Sequence, residues 1–354
     1  MPQKLDVLVV DDSRTSRQML VQLVNSAPDM FVVGEASDGA EAVKVAAKLR
    51  PKVILMDIVM PQMDGLQATR EIMSTQPTPI VLITASLEEQ ETDIAFQAIR
   101  AGALTVLQKP RGSLTGEFTA QANSLLGTLR TMAGVHVIRH WTRSQPAGSA
   151  AAHPLPRVTG TLAAPAEIVA IASSTGGPAA LSEIIKNLPH TFPLPIVIVQ
   201  HIASDFVSSL AGWLRGVTPL NVEIAVPGQH PHPGTVYIAP SGGHLKMNRL
   251  HAFELDPVQG ATLHMPSGDS LLGSVAASYG ARAIGVVLTG MGDDGARGLR
   301  AMHDAGAFTI AQDEDTCVVY GMPQEAVKHG GVKQVLPLPE IAPILVKLSQ
   351  TGGK

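Results

Sequence analysis

The chain has 354 residues, 45% of them hydrophobic and only 3% aromatic, with a formal net charge of −4. That length suggests two or three domains, with cores built from Val, Ile, Leu, Ala and Met. The acidic balance argues against a nucleic-acid or anionic-membrane binder. A single cysteine, Cys317, excludes an internal disulfide and a multi-cysteine zinc site. Its "DTCVVYG" setting reads as the edge of a buried strand, and so as a small core hydrophobe rather than a reactive thiol. The opening "MPQKLDVLVVDDS" has no basic region ahead of a long apolar run, which argues against a secretion signal. No stretch approaches the roughly 18 apolar residues that a membrane span needs. A soluble, cytoplasmic protein without direct membrane insertion is the expectation.

In chain order, apolar runs at 6–10, 30–36, 53–58, 79–85 and 103–110 predict five short strands. Between them, segments with 3.6-residue periodicity at 16–26, 39–50, 65–74 and 92–102 predict helices, and 117–133 continues as another. This alternation is the mark of a doubly wound parallel sheet. Residues 144–166, "SQPAGSAAAHPLPRVTGTLAAPA", are rich in Pro, Ala, Gly, Ser and Thr and carry no period; they read as a semi-stiff linker. A second α/β pattern follows. Its strands are expected at 167–173, 195–201, 222–226, 235–240, 283–290 and 308–313. Its helices are expected at 179–188, 205–216, 271–280, 294–306 and 338–350, with an antiparallel hairpin inside the turn-rich 227–270. No internal repeat is visible.

In open parallel sheets, functional groups collect beyond the carboxyl ends of the strands. In the first half those ends carry Asp11 and Asp12, then Asp57, Thr84 and Lys109. Three converging carboxylates suit a hard divalent cation such as Mg²⁺. A lysine and a hydroxyl opposite would complete a phosphoryl-acceptor site on one carboxylate. Helix capping is the plainer reading of "DDS" alone, but it does not account for all five positions. The motifs "VLVVDDS", "DIVMPQMDGL", "LITAS" and "LQKP" resemble those of response-regulator receiver domains over residues 4–125. The resemblance implies a flavodoxin-like, five-stranded parallel domain phosphorylated on Asp57. It further implies Mg²⁺ held by Asp11, Asp12, Asp57 and the Val59 carbonyl, with Thr84 as switch hydroxyl and Lys109 as phosphate-binding amine. Val106 stands where receivers usually carry an aromatic switch residue, so an aromatic-rotamer mechanism is not available here.

In the second half, "IVAIASSTGGP" (168–178) is a strand, a tight turn and a helix start. The turn lacks the Lys-Ser/Thr of a phosphate loop and the Gly-X-Ser-X-Gly of a lipase-type elbow. Gln200 and His201 end the next strand, and "TGMGDDGA" (289–296) ends a third. A serine, a histidine and an aspartate at parallel strand ends are what nucleophilic acyl chemistry needs, although each alone is more often structural. Residues 164–354 hold 11 Lys+Arg and 15 Asp+Glu and a strand-rich pattern, which disfavours a DNA-binding output. The histidines of "QHPHPG" (229–234) are too few to make a metal site.

"IASSTGGPAAL", "VIVQH", "AIGVVLTGMGDDGARGL" and "TIAQDEDTCVVYGMPQEAV" resemble the catalytic domain of chemotaxis protein-glutamate methylesterases over about 165–345. That resemblance implies Ser174, not Ser173, as nucleophile, His201 as base, and Asp294 as the carboxylate that orients it. It implies oxyanion or substrate contacts from Thr175 and Met291. It also implies demethylation of glutamate methyl esters and deamidation of glutamines on methyl-accepting chemotaxis receptors, with a chemotaxis histidine kinase as phosphodonor and inhibition by the resting receiver. The organisation expected is a receiver at 4–125, a helix extension and linker at 126–163, and a mostly parallel α/β hydrolytic domain at 164–350. The competing class is a non-catalytic, phospho-dependent binding module. Two departures from the family pattern flank the substrate groove: Gly268 where Val is common, and Gly273 where Arg often stands. "IASDF" also replaces the usual run after His201.

Overall fold

The computed structural model describes residues 4–85, 94, 96–99, 101–110, 116–135, 164–257 and 265–350. The chain divides into two compact units, Met1–Pro146 and Ala147–Lys354.

In the first unit, β1 (Leu5–Val10), β2 (Met30–Ala36), β3 (Val53–Asp57), β4 (Ile80–Thr84) and β5 (Thr105–Gln108) form one parallel sheet in the order β2-β1-β3-β4-β5. β3 and β4 are buried on both faces, as their unbroken apolar runs require. Helices α1 (Arg14–Ser26), α2 (Gly39–Leu49) and α3 (Gly65–Thr75) begin at Ser13, Asp38 and Asp64, and each of these side chains accepts a backbone N–H of the first turn. Helix α4 spans Gly116–Ala133. Of the helix expected at 92–102, residues 94 and 96–99 are helical and the others before 101 lie outside the described residues. The strand order reverses at β1/β3, so the ends of those two strands flank a crevice where no helix covers the sheet.

The second unit carries a seven-stranded sheet, entirely parallel. Its strands are β6 (Ile168–Ser173), β7 (Ile196–Gln200), β8 (Asn221–Ile224), β9 (Thr235–Ile238), β12 (Ala283–Val287), β13 (Phe308–Gln312) and β14 (Gln334–Leu336), in the order β14-β13-β12-β6-β7-β9-β8. The hairpin expected within 227–270 is β10 (His244–Met247) paired antiparallel with β11 (Phe253–Asp256). Helices α5 (Gly177–Lys186), α6 (Val207–Arg215), α7 (Gly268–Tyr279), α8 (Ala296–Asp304), α9 (Met322–Lys328) and α10 (Leu338–Gln350) complete it. Here the order reverses at β6/β12. The core beside that point is made by Leu271, Leu272 and Val275 of α7 and Leu299 and Met302 of α8, packed with the inward residues of the sheet.

Two elements were absent from the sequence reading. β14 has three residues and α9 seven, both below the length at which a period declares itself. One expectation is corrected: Cys317 is not at a strand edge. β13 ends at Gln312, and Cys317 sits half-buried in the loop that follows. Its thiol is nonetheless unreactive in character, because burial and then Asp313 push it up to about 12.

Leu272 is fully buried and its side chain lies against Gly298 of α8. Leu272→Ala should therefore cost the second unit about 2–5 kcal/mol. A lower urea midpoint by circular dichroism would register it; an unchanged midpoint would exclude this side chain from the core.

Candidate functional site

Each unit concentrates its polar buried groups at its own topological switch point. In the first, Asp11 follows β1, is wholly buried, and donates its N–H to the Ala36 carbonyl (3.1 Å). Its carboxylate accepts from the Ser13 N–H (3.0 Å), the Ser16 hydroxyl (2.6 Å) and Lys109 Nζ (2.8 Å). Asp57 closes β3 and accepts from the same Nζ at 2.6 Å. Asp12 is exposed, and oxygens of all three carboxylates lie within 4.8 Å of one another. Lys109 is buried, and its backbone N–H bonds to the carbonyl of Thr84, itself buried at the end of β4 (2.8 Å). Val59 is exposed two residues beyond Asp57, and Val106 is buried in β5.

The charges in this pocket do not cancel. Three carboxylates and one ammonium leave a net −2. Burial lifts the Asp57 carboxyl to about 6; the Lys109 hydrogen bond and charge pull it back, and the Asp11 charge adds to the rise. Burial would lower the Lys109 ammonium, but its hydrogen bonds to Asp11 and Asp57 outweigh that and hold it above its ordinary value. Hard oxygen donors with an excess of two negative charges fit a divalent cation such as Mg²⁺.

In the second unit, Ser173 ends β6 and Ser174 follows it, His201 follows β7, and Asp294 lies beyond β12. These are the three neighbouring strands around the switch point. Ser173 is wholly buried and its hydroxyl donates to Gln200 Oε1 (2.7 Å). Ser174 is half-buried; its hydroxyl makes no hydrogen bond among the described residues, and its Cβ packs against Gly290. Asp293 is exposed and Asp294 is 4% exposed. His201 Nε2 and Asp294 Oδ2 are 2.7 Å apart.

Asp294 is also held by the N-terminus of α7. It accepts from the Ser267 hydroxyl (2.7 Å) and from the N–H groups of Gly268 (2.6 Å) and Asp269 (3.0 Å). Burial alone would raise its carboxyl; the bonds from His201, Asp269, Ser267 and Gly268 outweigh burial and hold it well below the usual carboxylate range. This ionised carboxylate facing Nε2 leaves Nδ1 as the nitrogen able to accept a proton.

The turn after Ser174 is tightly packed. Gly176 takes φ +77°, and a Cβ there would lie 2.6 Å from Val318. The Ser174 N–H is spent on the Thr289 carbonyl (3.1 Å), and Thr289 Oγ1 donates to the Thr175 carbonyl (2.9 Å). The Thr175 N–H has no acceptor among the described residues. Met291, the residue after the Gly290 that packs on Ser174, is 46% exposed.

The amino-acid sequence matches known families over both units. A family described as CheB methylesterase matches residues 169–345, and the response regulator receiver domain matches residues 7–115. "Protein-glutamate methylesterase/protein-glutamine glutaminase 4" of Myxococcus xanthus (strain DK1622) is 44% identical over 353 residues, which is 99% of this chain and 98% of that one. This chain belongs to the CheB methylesterase family. "Protein-glutamate methylesterase/protein-glutamine glutaminase 1" of Syntrophus aciditrophicus (strain SB) is 41% identical, over 98% of each chain. The crystal structure of the Thermotoga maritima CheB methylesterase catalytic domain aligns with a TM-score of 0.50 at 41% identity, over 52% of this chain and 98% of that one.

Sequence reasoning did not find Ser267, the N–H groups of Gly268 and Asp269, or Thr289 as supports. "PSGDS" carried a helix N-cap signal that could have pointed to a carboxylate partner. The departure at Gly268 has a local cause: a Cβ there would press to 2.8 Å on Ala172, whereas one at Gly273 would meet open space.

The raised Asp57 carboxyl makes a signed prediction. A group raised from 3.8 to about 6 lends stability that is complete below pH 3.8 and lost as pH rises through 6. Asp57→Asn should therefore stabilise the metal-free first unit by about 1–3 kcal/mol near neutral pH. The gain should shrink towards zero below about pH 4. Equal thermal midpoints for both proteins at neutral pH would contradict it.

Proposed function

We propose that the chain is a phosphorylation-regulated protein-glutamate methylesterase and protein-glutamine glutaminase acting on methyl-accepting chemotaxis receptors, with a receiver at 4–125, an extension and linker at 126–163 and a catalytic domain at 164–350. The observation that carries this reading is the 2.7 Å His201–Asp294 pair beside the strand end that bears Ser174. Family membership supplies the substrate class.

In the first half-reaction Ser174 Oγ attacks the carbonyl carbon of a glutamate methyl ester while His201 Nδ1 takes its proton. Asp294 holds the ring in orientation and stabilises the imidazolium. The N–H groups of Thr175 and Met291 receive the developing oxyanion. The C–O bond to the methoxy group then breaks, and His201 returns the proton so that methanol leaves. Water, deprotonated by His201, attacks the acyl-serine and releases glutamate. A glutamine amide has the same acyl geometry and releases ammonia instead. On this reading side chains and main-chain N–H groups carry the hydrolysis.

In the receiver, the Asp57 carboxylate accepts a phosphoryl group from a chemotaxis histidine kinase. Asp11, Asp12, Asp57 and the Val59 carbonyl would hold Mg²⁺, which when bound neutralises the transferred group. Lys109 pairs with phosphate oxygens and Thr84 answers the new charge. With Val106 at the switch position, that answer runs without an aromatic ring. Among the described residues no helix is long and apolar enough to cross a membrane; on this reading the enzyme works in the cytoplasm on membrane-bound receptors.

On methylated receptor membranes, Ser174→Ala should lower methanol release by more than about 10³-fold, whereas Ser173→Ala keeps most of it. Asp294→Asn should lose more than Asp293→Asn. A small-molecule phosphodonor with Mg²⁺ should raise the activity of the full chain, and Asp57→Asn should abolish that rise. Equal losses in the two serine variants, both folded, would overturn the nucleophile assignment; stimulation surviving in Asp57→Asn would overturn the control.

A further inference from the structure

Gln200 is 4% exposed at the last position of β7, and its side-chain amide spends itself on the catalytic strand ends. Oε1 accepts from the Ser173 hydroxyl at 2.7 Å. Nε2 donates to the Ser174 carbonyl at 2.8 Å and to the His201 carbonyl at 2.9 Å. The orientation of the amide is forced: two carbonyls can only accept, so the nitrogen must face them, and the Ser173 hydroxyl then donates to the amide oxygen. Its seat is equally constrained. A Cβ on Gly177 would lie 2.0 Å from Oε1, so any other residue at 177 would displace the amide.

We infer that Gln200 is a positioning residue for the hydrolysis, its amide clasping the turn that carries Ser174 to the strand end that carries His201; this rests on the reading of Ser174 and His201 given above. Beside the clasp, the His201 N–H donates to the Ser173 carbonyl (2.9 Å), a main-chain bond of the β6–β7 pair. That bond fixes strand spacing. It does not fix the direction of the Ser174 carbonyl, and that direction sets where the Thr175 N–H points. The same peptide turn also accepts the Gly177 N–H on the Ser174 carbonyl (2.8 Å), so Gln200 and the start of α5 grip one oxygen from two sides. A buried amide with three bonds is expensive to leave half-satisfied, which makes the clasp a single arrangement rather than a set of alternatives.

The test is steady-state methanol release by the full chain, with Ser174→Ala run alongside. Gln200→Met keeps the length of the side chain and removes all three bonds. Misplacement of reacting groups by a fraction of an ångström predicts a fall in kcat of about 10- to 100-fold, with KM for the methylated receptor within about twofold, since the groove is untouched. Mg²⁺-dependent phosphorylation of Asp57 should be unchanged. Gly177→Ala displaces the amide while leaving it intact, and it should show the same kcat-only loss; it is the arm to read if Gln200→Met does not fold. A folded variant with wild-type kcat, or a loss confined to KM, overturns the inference. Full activity in Ser174→Ala would instead overturn the functional reading on which it rests, so the two failures are separable.

Discussion

A carboxylate out of water must be neutralised by its surroundings or protonated. In the second unit Asp294 is neutralised by four donors, three from the start of α7 and one from His201. Much of the local architecture follows from that requirement. The helix has to begin at Ser267–Asp269, close enough to β6 that position 268 has no room for a side chain against Ala172. The chain after β12 has to turn so that Asp294 faces inward while its neighbour Asp293 faces solvent. The partial positive charge of a helix N-terminus adds to the hydrogen bonds and keeps the carboxylate ionised. An ionised Asp294 in turn favours the His201 tautomer protonated on Nε2, which in the proposed hydrolysis leaves Nδ1 to take the Ser174 proton. The turn that bears Ser174 follows β6, the strand beside β7.

The first unit meets the same constraint with a different outcome. There the buried carboxylates outnumber their compensating ammonium, and Asp57 is lifted to about 6 instead of being held down. The site is stable enough to fold but carries an electrostatic deficit at neutral pH, which a cation can relieve and a transferred phosphoryl group can reorganise. One strand-end geometry thus gives two outcomes in one chain: full satisfaction at Asp294 and incomplete satisfaction at Asp57, where the proposed reaction brings in a new charge.

The strands and most helices were legible because their apolar runs are long and bounded by Gly, Pro or capping residues. β3 and β4 are continuous apolar stretches, and Ser13, Asp38 and Asp64 announce their helices. β14 and α9 were not legible because three and seven residues give no period. The placement of Cys317 failed because "CVVY" has strand composition but the chain there is folded as a loop over the turn after Ser174, with Val318 filling the space that Gly176 leaves. The strand-end rule brought Asp11, Asp57, Thr84, Lys109, Ser174, His201 and Asp294 into view. It could not separate Ser173 from Ser174 or Asp293 from Asp294, since adjacent residues differ only in which face they take. Nor could it find Ser267, Thr289 or the Gln200 clasp, whose roles depend on pairings 27 to 114 residues apart in the chain.

The central claim is that Ser174 is the side chain that forms the acyl bond. An active-site-directed fluorophosphonate ester reacts only with a serine whose proton is taken by a neighbouring base and whose oxyanion is received by donors. After limited labelling of the full chain, fragmentation mass spectrometry of the peptide that contains both serines reads the site directly. The account predicts the phosphonyl mass on Ser174, and its absence when His201 is replaced by Ala. Label on Ser173, or label on Ser174 that persists without His201, would contradict it.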